Sequence, residues 1–100
     1  MPVFLSGDFN STTDDTIFEP LKASLKDARE VSAISDKNIT YNGFGTVTDN
    51  PNTRKEWAID HIFFSGVNPM AFMVLNGNYG VPFISDHYPI AFTFRAQTEK

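Results

Sequence analysis

Residues 57–65 read Trp-Ala-Ile-Asp-His-Ile-Phe-Phe-Ser, and this stretch decides the fold. In a β-strand successive side chains point to opposite faces, so Ile62 and Phe64 share one face while Trp57 and Phe63 share the other. Both faces are largely apolar. The pattern therefore predicts a central strand of a sheet that is covered on both sides.

A single carboxylate, Asp60, interrupts this apolar strand. Burying a carboxylate is costly unless it is paired, so we expect a cation or a histidine beside it. The alternative is a structural ion pair with Arg54, Lys55 or Arg95. His61 points to the opposite face and is interpreted as ordinary packing.

The sequence on either side of this strand predicts three more strands, which places the chain in the α+β class. Residues 2–6 and 71–75 are short apolar runs, and residues 90–94 alternate between apolar and small or polar side chains. One helix is expected between the first and second strands, with Thr13 as its N-cap, a kink at Pro20 and an apolar stripe of Ile17, Phe18, Leu21 and Leu25. A second, short helical turn is expected over residues 27–32.

Residues 35–56 are rich in Asn, Asp, Thr and Gly and show no clear periodicity. A loop this long is unusual in a compact domain, which favours either a functional loop or a mobile one. A poorly ordered surface loop is the plainer alternative.

Composition narrows the class of protein. The chain has 100 residues, 41% hydrophobic and 20% charged, which suits one small domain and excludes a disordered chain. Without Cys it has no disulfide framework or thiolate metal site, and it fits a reducing compartment such as the cytoplasm. The net charge of −4 argues against uniform attraction to nucleic acid. No apolar run is long enough to span a membrane, and the N-terminus has no signal-peptide pattern.

Two short loops carry further polar groups next to predicted strands. Asp8 and Asn10 follow the first strand, where a carboxylate and a carboxamide can project to one side. An Asx-turn is the structural alternative. Asp86 and His87 precede the last strand and reach one site only from a loop, the alternative being a turn Asp beside a surface His.

Three segments in this order resemble the endonuclease/exonuclease/phosphatase superfamily, the DNase I-like metal-dependent phosphohydrolases. They are Gly7-Asp8-Phe9-Asn10, Trp57-Ala58-Ile59-Asp60-His61-Ile62-Phe63 and Ser85-Asp86-His87-Tyr88-Pro89-Ile90. The resemblance spans nearly the whole chain. A plain α+β domain in which the three motifs coincide by chance is the remaining alternative.

The resemblance implies a role for each polar group in the cleavage of a phosphate ester. Asp8 is expected to orient and deprotonate the attacking water, and Asn10 to donate a hydrogen bond to the phosphoryl oxygens. His87 is expected to contact the scissile phosphate, held and kept protonated by Asp60. Asp86 falls where the family has a carboxylate near the metal, which is expected to be Mg²⁺ or Mn²⁺.

The resemblance also implies that residues 1–100 form a single, partial domain. The family fold is a four-layer αββα sandwich, and this chain matches its C-terminal half, expected as one mostly antiparallel sheet with a helix on one face. An Asn and the main metal-binding Glu belong to the other half and have no equivalents here. We therefore expect the isolated chain to be inactive or feebly active and to bind Mg²⁺ weakly or not at all. A non-catalytic half-domain that assembles with a partner chain is the alternative function.

The resemblance and the net charge also predict the partners of the chain. The resemblance implies that the substrate is a phosphate ester; the negative net charge favours a small molecule, with nucleic acid still possible. Removal of half a sandwich is expected to uncover the inner face carried by residues 57–65, 71–75 and 90–94. Such an apolar face is unstable in water, which predicts a homodimer that buries it.

Overall fold

The structure of the chain, a computed structural model, describes residues 1–77 and 85–97. Helices and strands both occur in these ranges, so the α+β class is confirmed. No helix in them is long and apolar enough to cross a membrane. In chain order the elements are β1 (Val3–Asp8), a 3₁₀ turn (Thr16–Phe18), α1 (Glu19–Lys22), β2 (Lys26–Asp27), α2 (Ala28–Val31), β3 (Ile34–Ser35), a second 3₁₀ turn (Gly43–Gly45), α3 (Pro51–Trp57), β4 (Asp60–Ser65), β5 (Val67–Val74) and β6 (Ile90–Ala96).

The described strands form two three-stranded sheets where a single sheet was expected. In the first sheet β4 lies between β1 and β2 and is antiparallel to both. In the second sheet β5 lies between β3, which is parallel to it, and β6, which is antiparallel. The central position predicted for the strand around Asp60 is therefore confirmed, while the strands on either side of it are divided between two sheets.

Gly66 allows the chain to pass from one sheet to the other. This residue separates β4 from β5 and has a φ of 82°, in the left-handed region that glycine adopts without strain. A Cβ at this position would lie 2.7 Å from the carbonyl oxygen of Met1, which is closer than nonbonded atoms approach. The sharp turn therefore requires glycine, and it sends two consecutive strands into different sheets.

The hydrophobic core lies between the two sheets. Phe64 of β4 packs with Phe72 and Val74 of β5, all at most 4% exposed. The ring of Phe92 on β6 lies 4.9 Å from that of Phe64. The expectation of an uncovered inner face is therefore wrong for its centre, because these strands belong to opposite sheets and cover each other, while Phe94 at the edge of this face is 43% exposed. Each buried phenylalanine contributes about 1.5–3 kcal/mol to folding.

The other face of β4 is covered by a second aromatic group. Phe63 is fully buried, and the centroid of its ring lies 5.5 Å from that of Phe9 and 5.3 Å from that of Phe18.

The helix before β2 is shorter than predicted. Asp15 rather than Thr13 caps its first turn, because the side chain of Asp15 accepts a hydrogen bond from the backbone amide of Ile17. Proline fits only in the first turn of a helix, so the helical stripe splits into a 3₁₀ turn and the four-residue α1.

The segment just before β4 also differs from the prediction. Residues 51–57 form α3, so the strand begins at Asp60 and not at Trp57. Asn50 caps this helix through its side chain, which accepts hydrogen bonds from two backbone amides, and Pro51 occupies the first turn. Near the N-terminus, β1 extends to Asp8, lies at the edge of its sheet among the described strands and is exposed along its length.

Candidate active site

The end of β1, the start of β4 and the segment before β6 bring three of the predicted site residues together. Asp8 and Asp60 are directly opposite each other across the antiparallel pair. Opposite residues in such a pair project to the same side of the sheet. His87 reaches this side from the segment before β6 and contacts both carboxylates.

Asp60 and His87 form a close pair. The Nδ1–H group of His87 donates a hydrogen bond of 2.7 Å to Oδ2 of Asp60, so this carboxylate holds the ring as expected. The alternative, an ion pair between Asp60 and an arginine or lysine side chain, does not occur among the described residues. With Nδ1 occupied, the second ring nitrogen, Nε2, lies 3.6 Å from Oδ2 of Asp8. That separation is too long for a good hydrogen bond, so Nε2 remains available to another group.

The surroundings favour the charged form of the imidazole. Partial burial lowers the pKa of His87, but the hydrogen bond and charge of Asp60 raise it, with further help from the charges of Asp8 and Asp86. The net result is a pKa above the ordinary value of 6.5. An imidazolium with a free N–H group is suited to contact an anion.

Asp8 also shapes the loop that follows β1. Its Oδ1 accepts a hydrogen bond of 2.9 Å from the backbone amide of Asn10, which is an Asx-turn. Asn10 has a left-handed backbone, with φ of 54°, and is exposed. The Asx-turn given as the structural alternative is therefore present, and it occupies one carboxylate oxygen while the other lies toward His87.

Asp86 is fixed through its backbone. Its carbonyl oxygen accepts hydrogen bonds from the amides of Asn42 (2.7 Å) and Gly43 (3.3 Å), while its carboxylate contributes to the raised pKa of His87. Carboxylate oxygens are suitable ligands for Mg²⁺. Within the described ranges, however, no three Asp, Glu or His side chains are grouped so as to hold a metal ion. These residues do not by themselves fit a complete magnesium site.

Two buried polar residues in the long loop hold the site together, and sequence reasoning missed both. Thr40 is fully buried; its Oγ1 accepts hydrogen bonds of 3.0 Å from the amides of Ile59 and Asp60, and its carbonyl accepts one from Tyr88. Asn42 donates from Nδ2 to the carbonyl oxygen of Ser85. The alternative of a poorly ordered surface loop is therefore wrong for these residues, which join the start of β4 to the segment that carries His87.

A second buried contact joins the first loop to β4. His61 is fully buried; its Nε2–H donates to the carbonyl oxygen of Ser11 (2.6 Å), and its Nδ1 accepts from Nη1 of Arg29 (2.9 Å). Nη2 of Arg29 donates to the carbonyl oxygen of Asp60 (2.9 Å). His61 is thus packed, as expected, and it also ties the loop following Asn10 to the strand that bears Asp60.

The chain belongs to the Endonuclease/Exonuclease/phosphatase family, whose model matches residues 1–87. This confirms the resemblance drawn from the three sequence motifs. Among curated proteins, none matches the chain.

The fold is similar to that of a functionally unknown conserved protein from Enterococcus faecalis V583, known from a crystal structure. The TM-score is 0.76 and the sequence identity 20%. The match covers 96% of this chain and 37% of that protein, so the chain spans little more than a third of its length. At this identity the similarity supports the fold alone.

Proposed function

We propose that this chain is the catalytic C-terminal portion of a metal-dependent phosphoesterase, a partial domain that hydrolyses a phosphate mono- or diester with an activated water. Family membership supports hydrolysis in general. The observation that carries the finer proposal is the Asp60–His87 pair at 2.7 Å, with the other ring nitrogen of His87 turned toward Asp8.

The proposed chemistry assigns one task to each residue. Asp8 accepts a proton from the attacking water, whose oxygen then forms the new bond to phosphorus. The ester P–O bond breaks, and its leaving oxygen takes up a proton from solvent. The Nε2–H group of His87 donates to a phosphoryl oxygen, Asp60 keeps the imidazolium charged and oriented, and Asn10 donates a second hydrogen bond to the phosphate.

The proposed cofactor is Mg²⁺ or Mn²⁺, with Asp86 as its ligand in this chain. A divalent cation in such a site stabilises the negative charge that develops on the phosphoryl group. Because the donors in the described ranges are too few for octahedral coordination, we expect weak or no binding by this chain alone. Calorimetric titration with MgCl₂ checks this, and a tight stoichiometric site would contradict it.

The proposed substrate is a small, soluble phosphate ester, with nucleic acid as the second option. The net charge of −4 disfavours long polyanions unless a local basic region attracts them. The site does not distinguish a monoester from a diester, so the substrate panel should contain both.

A panel of phosphomonoesters and phosphodiesters with Mg²⁺ or Mn²⁺ tests the proposed activity. It should be run on this chain and on the longer natural protein from which we propose that it derives. In the longer protein we expect Asp8→Asn and His87→Gln each to lower kcat at least a hundredfold. Lys26→Ala, an exposed change on β2, is the control that retains activity. Hydrolysis that persists in Asp8→Asn contradicts the proposed role of this carboxylate.

The alternative function is a non-catalytic half-domain that assembles with a partner chain, and an exposed aromatic pair favours it. Phe4 on β1 and Phe94 on β6 are 46% and 43% exposed, with ring centroids 5.0 Å apart, on strands that lie at sheet edges among the described elements. We propose that a homodimer buries this pair, which is the exposed edge of the inner face. Sedimentation of wild type and of Phe94→Ser tests it, and a wild-type monomer at micromolar concentration excludes it.

A further inference from the structure

A buried polar pair, Asp27 and His61, lies behind the candidate active site. The side chains of both residues are fully buried, and Nδ1 of His61 lies 3.6 Å from Oδ2 of Asp27. Successive residues of a strand project to opposite faces, so His61 lies on the face of β4 opposite to that of Asp60. Asp27 on β2 is paired with Phe63 of β4, which shares the face of His61. The pair therefore takes no direct part in the chemistry proposed for Asp60 and His87.

Hydrogen bonds to the aspartate compensate for its burial. A buried carboxylate is costly unless its oxygens have partners. Oδ1 of Asp27 accepts from the backbone amide of Arg29 (2.9 Å), and its Oδ2 accepts from Oγ1 of Thr13. Burial raises the pKa of Asp27, but His61 and Thr13 beside it lower this pKa to below the ordinary value of 3.8, so the side chain is ionised at neutral pH. Hydrogen bonds to an ionised group are about twice as strong as those between neutral groups, so Thr13 is held firmly.

Both members of the pair bind the loop that follows β1. Nε2 of His61 donates to the carbonyl oxygen of Ser11 (2.6 Å), and Asp27 accepts from the hydroxyl of Thr13. The ring of Phe9 lies 5.9 Å from that of His61, so the beginning of the loop packs on the same buried group. Residues 9, 11 and 13 are thus anchored behind β4.

Asn10 lies between these anchors in a conformation that needs support. Its φ of 54° is in the left-handed region, which costs free energy for residues other than glycine and persists where surrounding contacts hold it. On one side the amide of Asn10 donates to Oδ1 of Asp8 (2.9 Å). On the other side the carbonyl oxygen of the next residue, Ser11, accepts from His61. The buried pair therefore supplies one of the two contacts that flank Asn10.

We propose that Asp27 and His61 are positioning residues, which hold the loop of residues 9–13 so that Asn10 keeps the conformation from which its side chain donates to a phosphate. This inference rests on the proposed function, which assigns that phosphate contact to Asn10. A hydrogen-bond donor accelerates hydrolysis most when it is oriented before the reaction begins. Hydrogen bonds are directional, so the two bonds from the core fix the loop more closely than apolar packing alone would.

Thr13→Val tests the inference in this chain, because valine keeps the shape of threonine and removes the hydroxyl that binds Asp27. The measurement is the backbone order parameter of Asn10 from ¹⁵N NMR relaxation. We expect it to fall from about 0.85, the value of a rigid backbone, toward about 0.6. Thr13→Ser keeps the hydroxyl and should restore the wild-type value. Thr93→Val makes the same chemical change on β6 in the other sheet and should leave Asn10 unaltered.

Two substitutions of His61 test the other half of the pair. Glutamine carries an amide that can donate to the carbonyl oxygen of Ser11, whereas leucine has a similar volume and no donor. His61→Leu should therefore lower the order parameter of Asn10, and His61→Gln should retain most of it. Urea denaturation of each variant separates a general loss of stability from a local loosening of the loop. Thr13→Val, at a half-buried position, gives the same test where a change in the core prevents folding.

A kinetic test uses the phosphate esters that the substrate panel identifies. Thr13→Val should lower kcat about ten- to a hundredfold and change KM by less than about twofold, because the contact of Asn10 is proposed to matter most in the transition state. Because the pair acts through Asn10, Thr13→Val should have little further effect on kcat in an Asn10→Ala background.

The outcomes separate this inference from the proposed function. An order parameter of Asn10 that is unchanged in Thr13→Val, or an effect on kcat that adds in full to that of Asn10→Ala, overturns the positioning role and leaves the proposed function intact. Full activity in Asn10→Ala contradicts the phosphate contact of Asn10 and, with it, the catalytic use of the pair. Absence of hydrolysis across the panel contradicts the proposed function, whereas the order parameter of Asn10 still decides whether the pair holds the loop.

Discussion

Replacing Asp60 with asparagine tests the central interaction of the candidate site. Asparagine keeps the size of the side chain and retains an oxygen that can accept from Nδ1 of His87, but it removes the negative charge. Because the carboxylate is a main cause of the raised His87 pKa, we expect this pKa to fall in the variant. Titration of the imidazole by ¹H–¹⁵N NMR measures it directly, with His87→Gln used to assign the signal.

The same substitution should change stability in a pH-dependent way. A group whose pKa is higher in the folded than in the unfolded chain stabilises the fold fully below the unfolded value of about 6.5, and this contribution is lost as pH rises through the folded pKa. A charge-assisted hydrogen bond contributes about 1.5–3 kcal/mol, which we reduce to about 1–2 kcal/mol because the His87 side chain is 27% exposed. Asp60→Asn should therefore lose about 1–2 kcal/mol at pH 5.5 and less at pH 9, measured by urea denaturation.

Glu56→Gln is the matched control for this prediction. It removes one negative charge from an exposed position on α3 and should leave the titration of His87 nearly unchanged. An unaltered His87 pKa in Asp60→Asn, or a loss of stability that is the same at both pH values, would refute the assignment of the raised pKa to this carboxylate.

Two further substitutions test the framework of the site. Thr40→Val removes the oxygen that accepts from two backbone amides and should destabilise the fold by about 1–3 kcal/mol in urea denaturation, whereas Thr40→Ser keeps the oxygen and should cost less. Gly66→Ala places a Cβ 2.7 Å from the Met1 carbonyl and should lower the thermal midpoint, by several degrees for each kcal/mol lost; an unchanged midpoint would show that the turn does not require glycine.

The central strand and the site motifs were predictable because each leaves a local signal. Two apolar faces interrupted by one carboxylate identify β4 and require a partner for Asp60. The helix α3 was also readable, because Asn50 followed by Pro51 is a typical start of a helix. The segment shows no clear periodicity, however, and on periodicity alone it is predicted to be a loop.

The division into two sheets and the role of the long loop were not predictable in the same way. Alternation shows which side chains share a face but not which sheet a strand joins, and that choice depends on the left-handed turn at Gly66. Thr40 and Asn42 are short polar residues in an aperiodic stretch, which is also the pattern of a solvated loop. Their importance lies in hydrogen bonds to segments far along the sequence, and no local pattern encodes those partners.

The described contacts place the groups that orient His87 within this one chain. Asp60 is held through its backbone by Thr40 and Arg29, and His87 is held through its ring by Asp60. All of these groups lie within this one chain, so the tautomer and raised pKa of His87 follow from the fold of the chain itself. The orientation of His87 can therefore be tested in this chain by its titration, separately from any test of hydrolysis. A chain that keeps this titration yet hydrolyses nothing would show that the Asp60–His87 pair alone is not enough for hydrolysis.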